Sequence, residues 1–153
     1  MSSPPELIIV FCPCGALYRD SWRPSMNLSL DDFDDEYIER MSSTTCPNCG
    51  LVTRMGTLLA HFENDHLRLD YELIPKPLPV ILFLARPARE QPETLKWIKE
   101  WVTQHGQAGA TQLEEILRSP DFRNDDLYEE LAYMLFRWSI ENGGKEPELP
   151  LRD

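Results

Sequence analysis

Four cysteines lie in two short turns, Cys12-Pro13-Cys14-Gly15 and Cys46-Pro47-Asn48-Cys49-Gly50, and nowhere else in the chain. Glycine after the last cysteine permits backbone angles closed to other residues, so amide groups can point at thiolate sulfurs while proline stiffens the approach. Two such turns facing each other form a tetrahedral four-sulfur cage. The expected cofactor is one Zn(II) per chain, held by Cys12, Cys14, Cys46 and Cys49. The second turn has the usual two-residue spacing; the first separates its cysteines by a single residue and is a tighter chelate.

Other uses of the same thiols fit less well. Unrelated buried or surface cysteines would rarely fall into two Cys-Pro turns. A disulfide framework is disfavoured because residues 1–30 lack the basic start and long apolar core of a secretion signal, and a reducing, cytoplasmic location is expected instead. A redox centre of the thioredoxin type needs its thiol at a helix start, yet Cys49 is followed by Leu51-Val52-Thr53-Arg54-Met55, which reads as a strand. The sharper rival is a two-cysteine, two-histidine finger built from Cys46, Cys49, His61 and His66, with Leu58 three residues before the first histidine. Eleven residues separate Cys49 from His61, one short of the usual finger gap, and Gly56 interrupts the helix a finger needs. That arrangement would also leave Cys12 and Cys14 without a role, so both histidines are expected to be hydrogen-bonding residues near the metal.

No nucleophile motif joins His61, His66 or His105 to a serine or free cysteine, and the seven glycines form no phosphate loop. Glu63, Asp65 and His66 offer a second metal or acid–base set, against the simpler reading of a solvated turn. Four thiolates would leave the zinc no open position for water.

The 153 residues, 42% of them hydrophobic, suffice for one ordinary domain or for a metal-stapled module with a helical part. The longest apolar run, Val80 to Ala85, falls far short of the roughly 20 residues that span a bilayer, so no membrane association is expected. Fifteen Lys and Arg against 26 Asp and Glu give a net charge of −11 with no basic stripe. Nucleic-acid binding through phosphates is therefore not expected. The acidic run Asp31-Asp32-Phe33-Asp34-Asp35-Glu36 suits the first turn of a helix, where the dipole favours negative charge.

Patterning divides the chain near residue 87. Strands are expected at Glu6 to Phe11, which delivers Cys12, then at Ala16 to Arg23, Asn27 to Leu30, Leu51 to Met55, Thr57 to His61 and Leu67 to Ile74. A short helix with an apolar stripe of Phe33, Tyr37, Ile38 and Met41 precedes a polar connection, Ser42 to Thr45. Pro75, Pro77 and Pro79 mark an extended exit into the buried segment Val80 to Ala85. Beyond Pro87 three helices are expected: one from Pro92 to His105-Gly106, one capped by Thr111, and one from Asn124 or Asp125 to Asn142. The last carries apolar residues on more than one face, so it is either the centre of the helical part or partly a surface for association.

Residues 8 to about 79 resemble the CpXC domain, a bacterial family named for its Cys-Pro-x-Cys motifs. The likeness rests on both cysteine turns, the segment Trp22 to Asn27, the acidic helix start near Asp31, Leu58-Leu59-Ala60-His61 and the strand ending Leu73-Ile74-Pro75. The first motif departs from the family by the loss of one residue. The resemblance implies a zinc-ribbon-like module and little about activity.

The expected fold is α+β: a small antiparallel zinc-ribbon-like sheet with one short helix in residues 1–87, a three-helix part packed on it in 88–144, and a flexible tail in 145–153. The expected role is a zinc-stapled interaction or adaptor protein of bacterial or phage type, acting on a protein partner or a second copy through the C-terminal helices. The alternatives are a metal-dependent enzyme using His61 and His66, and an acidic nucleic-acid mimic that inhibits a basic partner.

Overall fold

The centre of the molecule is Glu6–Phe11 (β1), whose run Ile8-Ile9-Val10-Phe11 is almost wholly shielded from solvent. The computed structural model describes residues 2–29, 32–63, 66–71, 79–120, 122 and 125–150. A strand alternates its side chains, so an unbroken apolar run must be covered on both faces. Ile9 and Phe11 enter one core with Val80, Leu82 and the long helices; Ile8 and Val10 enter another with Trp22, Met55 and Ile81. The order of elements follows from this. Leu17–Trp22 (β2) pairs antiparallel with one edge of β1. The rest of the structure must supply the other edge and both covers.

Ser25–Asn27 (β3) follows β2 after Pro24, and Asp35–Ser42 (α1) leads into Ser43–Thr45 (β4). Asp34 caps α1 by accepting from the Tyr37 amide at 2.7 Å, and Asp35 and Glu36 sit in its first turn, as expected of the acidic run. Val52–Arg54 (β5) pairs antiparallel with β4. Leu58–Glu63 (β6) and His66–Tyr71 (β7) form a hairpin, and β3 joins β6 in parallel. Val80–Phe83 (β8) returns to close the second edge of β1. Among the described residues these strands form the sheets β2-β1-β8, β3-β6-β7 and β4-β5.

Two expectations shift. The strand predicted at Asn27 to Leu30 is instead Ser25–Asn27, because the Asn27 side chain accepts from the Ser29 amide at 3.1 Å and turns the chain. Leu30 lies outside the described residues. Residues expected as a polar connection form β4, where Thr44 is buried and makes side-chain bonds described below. Of the prolines marking the exit, Pro75 and Pro77 also lie outside the described residues.

The helices begin after a short 3-10 turn, Ala88–Glu90. The buried Gln91 side chain grips the end of β8, accepting from Phe83 N at 3.0 Å and donating to Phe83 O at 2.9 Å and Arg86 O at 3.2 Å. Bonds of both kinds fix where the next helix starts. Pro92–Leu117 (α2) is two limbs bent at Gly106, whose φ of 64° and ψ of −146° are not helical. Asp125–Glu141 (α3) packs against α2. The expected break at Gly106 is present, but helix resumes at once and Thr111 lies inside the second limb, its hydroxyl accepting from Gln107 Nε2 at 3.4 Å. A single residue makes the bend, leaving no connection for Thr111 to cap. Lys145 to Pro150 lie along the helices: Tyr128 donates to Pro150 O at 2.9 Å and Arg118 Nε to Glu148 O at 3.0 Å.

No atom stands within 4 Å of a Cβ added at Gly106, so substitution there meets only the backbone penalty of a region open chiefly to glycine. Chemical denaturation of Gly106→Ala is expected to show a loss of about 1–3 kcal/mol; an unchanged midpoint would mean that the bend is not fixed by this residue.

Candidate metal centre

β1 ends at Phe11 and hands over Cys12; β4 ends at Thr45 and hands over Cys46. Each turn that follows is closed by its own backbone. In the first, Gly15 N donates to Cys12 O at 3.0 Å and Cys12 N to Ala16 O at 2.9 Å. In the second, Gly50 N donates to Cys46 O and Cys46 N to Leu51 O, both at 2.9 Å. Corresponding groups are joined in the two turns with one residue fewer in the first. The missing residue is thus absorbed within the loop, and both turns finish on a glycine of positive φ, 100° at Gly15 and 79° at Gly50.

The four sulfurs converge. Cys12 Sγ lies 3.6 Å from Cys49 Sγ, and Cys14 Sγ lies 3.7 Å from Cys46 Sγ. All four ligand atoms fall within 4.8 Å of one another, a group that can hold a metal ion. Each close pair joins a buried cysteine, Cys12 or Cys46, to an exposed one, Cys49 or Cys14, and all four are free thiols. The cluster is therefore half sunk in the fold and half open to water.

Environment splits the thiols chemically. Burial pushes the Cys12 thiol up to about 12, the main cause, with its sulfur neighbours adding to it. Cys14 is lowered to about 6, first by the Asn48 side-chain amide, which donates to its sulfur at 3.4 Å, and then by the Ala16 backbone amide. Hydrogen bonds to a charged form favour that form. Were all four sulfurs ionised at this spacing, a cation would be required to offset their repulsion.

The turns are braced from different sides. Thr44 donates to Asp20 Oδ2 at 2.6 Å, so its hydroxyl accepts from Tyr18, 3.0 Å away; this chain ties β4 to β2 directly behind the sulfurs. Burial raises the Tyr18 hydroxyl to about 12, keeping it a donor. The first turn is held by α2. Trp101 Nε1 donates to Cys12 O at 2.7 Å, Gln112 Nε2 donates to Gly15 O at 2.6 Å, and Leu17 N donates to Gln112 Oε1 at 3.0 Å. The His105 ring lies tilted against Trp101, 4.7 Å between centroids, and fills the space at Gly15, where an added Cβ would lie 3.2 Å from its Nδ1.

The fold thus brings together all four cysteines that the sequence singled out as metal ligands. His61 and His66 stand instead on the β6-β7 hairpin, where His61 pairs with Arg68 and Glu63 with His66. A finger helix over these residues is not formed, since both segments are strands. Asp65, the remaining member of the proposed second set, lies outside the described residues. Sequence reasoning missed Thr44, Trp101, His105 and Gln112 as neighbours of the centre. Only Asn48, inside the second motif, was within reach of a motif argument.

Comparisons with family models, curated proteins and solved structures return no match. The CpXC resemblance stands on its motif residues alone.

In metal-free, reduced protein, Cys14 is expected to react first with iodoacetamide at pH 7. Its folded-state value is lowered, so thiolate is present above about 6 and its reactivity falls as pH drops through that range, while Cys12 stays protonated and buried. Mass mapping of the modified peptides across pH 5–8, taken as a range about the Cys14 value, tests this; preferential labelling of Cys12 would refute the assignment.

Proposed function

We propose that this chain binds one Zn(II) through Cys12, Cys14, Cys46 and Cys49, and that the ion is structural, stapling a protein-interaction or adaptor module. The observation that carries the reading is the convergence of four thiols with close pairs at 3.6 and 3.7 Å. A tetrahedral site with Zn–S bonds of about 2.3 Å spaces its sulfurs at about 3.8 Å. Four thiolates complete zinc's usual coordination, leaving no position for a reacting water. The CpXC resemblance supports the same reading, since that family implies a zinc-ribbon-like module. When bound, the ion supplies neutralising charge and a rigid crosslink between the β1-β2 and β4-β5 hairpins.

The interaction role draws on the helical part. Leu127, Tyr128, Leu131, Leu135 and Trp138 of α3 are buried, whereas Tyr133, Phe136 and Ile140 are 62%, 41% and 64% exposed. These three recur at helical spacing along one side, a face suited to another protein surface. A groove of about 270 Å³ beside it is lined by Phe136, Ser139, Ile140, Gly144 and Glu146. A second copy of this chain is the first occupant to test.

Metal analysis of purified protein should give one zinc per chain, lost in each of Cys12→Ser, Cys14→Ser, Cys46→Ser and Cys49→Ser. Retention without Cys12 but loss in His61→Ala would overturn the four-sulfur assignment. Chelation should loosen the two cysteine turns and lower the melting temperature while the core around β1 keeps the chain folded, because an ion bound only by the folded state stabilises it by mass action. For the α3 face, sedimentation over a concentration series should show association that Ile140→Glu abolishes. A wild-type chain that remains monomeric throughout would exclude the second copy.

A further inference from the structure

We propose that the bent helix α2 is a clamp on the shortened cysteine turn, with Trp101 and Gln112 as positioning residues that set how tightly the centre holds its metal. The inference rests on the four-sulfur metal reading and assigns to the helical part a share of the metal site.

Each limb of α2 supplies one grip. Trp101, on the first limb, takes the carbonyl of Cys12 itself at 2.7 Å through a buried bond. Gln112, on the second, closes over the far side of the turn, with Gly15 O at 2.6 Å and Leu17 N at 3.0 Å. The gripped atoms therefore bracket both cysteines of the turn. Between the grips His105 presses against Gly15, and its Nε2 is buried with no hydrogen-bond partner among the described residues. An imidazole kept in so unfavourable a place is held there by shape, filling the space beside the glycine. Gly106, directly after it, sets the angle between the limbs. On a straight helix residues 101 and 112 would share a face but stand about 16 Å apart along the axis; the bend at Gly106 lies between them.

The second turn has no comparable grip among the described residues. Cys49 and Gly50 are exposed, as are Leu51 and Val52 after them; the turn is closed by its own backbone bonds and braced at its base by Thr44, while its Asn48 side chain reaches across to donate to Cys14 Sγ at 3.4 Å. Asn48 occupies the position that the first turn lacks. The shorter chelate thus draws its support from outside: Asn48 holds the Cys14 sulfur, and α2 holds the backbone at both ends of the turn. Holding ligands in place before the ion arrives raises affinity, because ordering them is then no longer charged against binding. Coupling of this kind is reciprocal: metal must order α2 by the factor by which α2 favours metal.

The test uses the full chain and Co(II) as the probe. Thiolate–cobalt absorbance reports binding, and competition with a chelator gives the affinity. Trp101→Phe keeps the ring and loses the N–H; Gln112→Ala removes both bonds of the second grip. Each is expected to weaken Co(II) binding about 5- to 10-fold, the equilibrium equivalent of one net hydrogen bond. Leu131→Ala, in the core of α3, serves as a control for general destabilisation and is expected to stay within twofold of wild type. Hydrogen exchange should also show residues 107–117 slowed by metal in the wild type and less so in Gln112→Ala. Affinities of the two clamp variants within twofold of wild type would overturn the proposal, as would an equal loss in Leu131→Ala. Absence of a thiolate–cobalt band in the wild type itself would instead strike the metal reading, and the clamp with it.

Discussion

Ile8, Ile9, Val10 and Phe11 are consecutive apolar residues, and because a strand sends neighbours to opposite sides, β1 has to be covered twice. Most of the architecture answers that requirement. On one side α2 and α3 bury Ile9 and Phe11; on the other, Trp22, Met55 and Ile81 enclose Ile8 and Val10. The same strand ends by delivering Cys12 into buried surroundings. Phe11 meets the Trp101 ring edge-on at 5.2 Å, so the residue that covers the end of β1 also reaches the next carbonyl. Core packing and the position of the sulfurs are consequently one problem with one solution.

The two cysteine turns reach equivalent ends by unequal means. A four-residue turn and a five-residue turn use corresponding backbone bonds and a final glycine in the left-handed region. What differs is support. The first turn lies under the helices and the second protrudes, yet in each turn the leading cysteine is buried and the later one exposed, so each close sulfur pair has one member of each kind. Burial and hydrogen bonding then drive Cys12 and Cys14 in opposite directions, although a single residue separates them. A buried thiol resists ionising, so of these two sulfurs Cys12 would need a cation more than Cys14 to become a thiolate.

The cysteines, the mixed α+β character, β1, the acidic helix start and the break at Gly106 were legible because each carries a local signal: ligand spacing, alternation, capping or a glycine among helix formers. Other features carry none. β4 reads as a polar linker since Ser43, Thr44 and Thr45 are short and hydrophilic, and only the side-chain chain through Asp20 and Tyr18 explains a buried threonine there. Parallel pairing of β3 with β6 joins segments more than 30 residues apart by number, beyond any periodicity argument. Gln112 lies 97 residues from Gly15 and looks in sequence like any polar residue on a helix. Thr111 satisfied a capping pattern, yet the helix restarts directly after Gly106 and left that pattern unused.

The separation of the two turns along the chain has a consequence in time. Cys14 and Cys46 stand 32 residues apart, and ribosomes add about 5–20 residues per second. For roughly 2–6 seconds at that pace, a nascent chain carries the first thiol pair without the second. Until the later half emerges the earlier one is an open dithiol, and the clamp helix that steadies it is made later still. Assembly of the four-sulfur cluster is therefore an event of late synthesis, and its first two thiols meet solvent before the fold that shelters them exists.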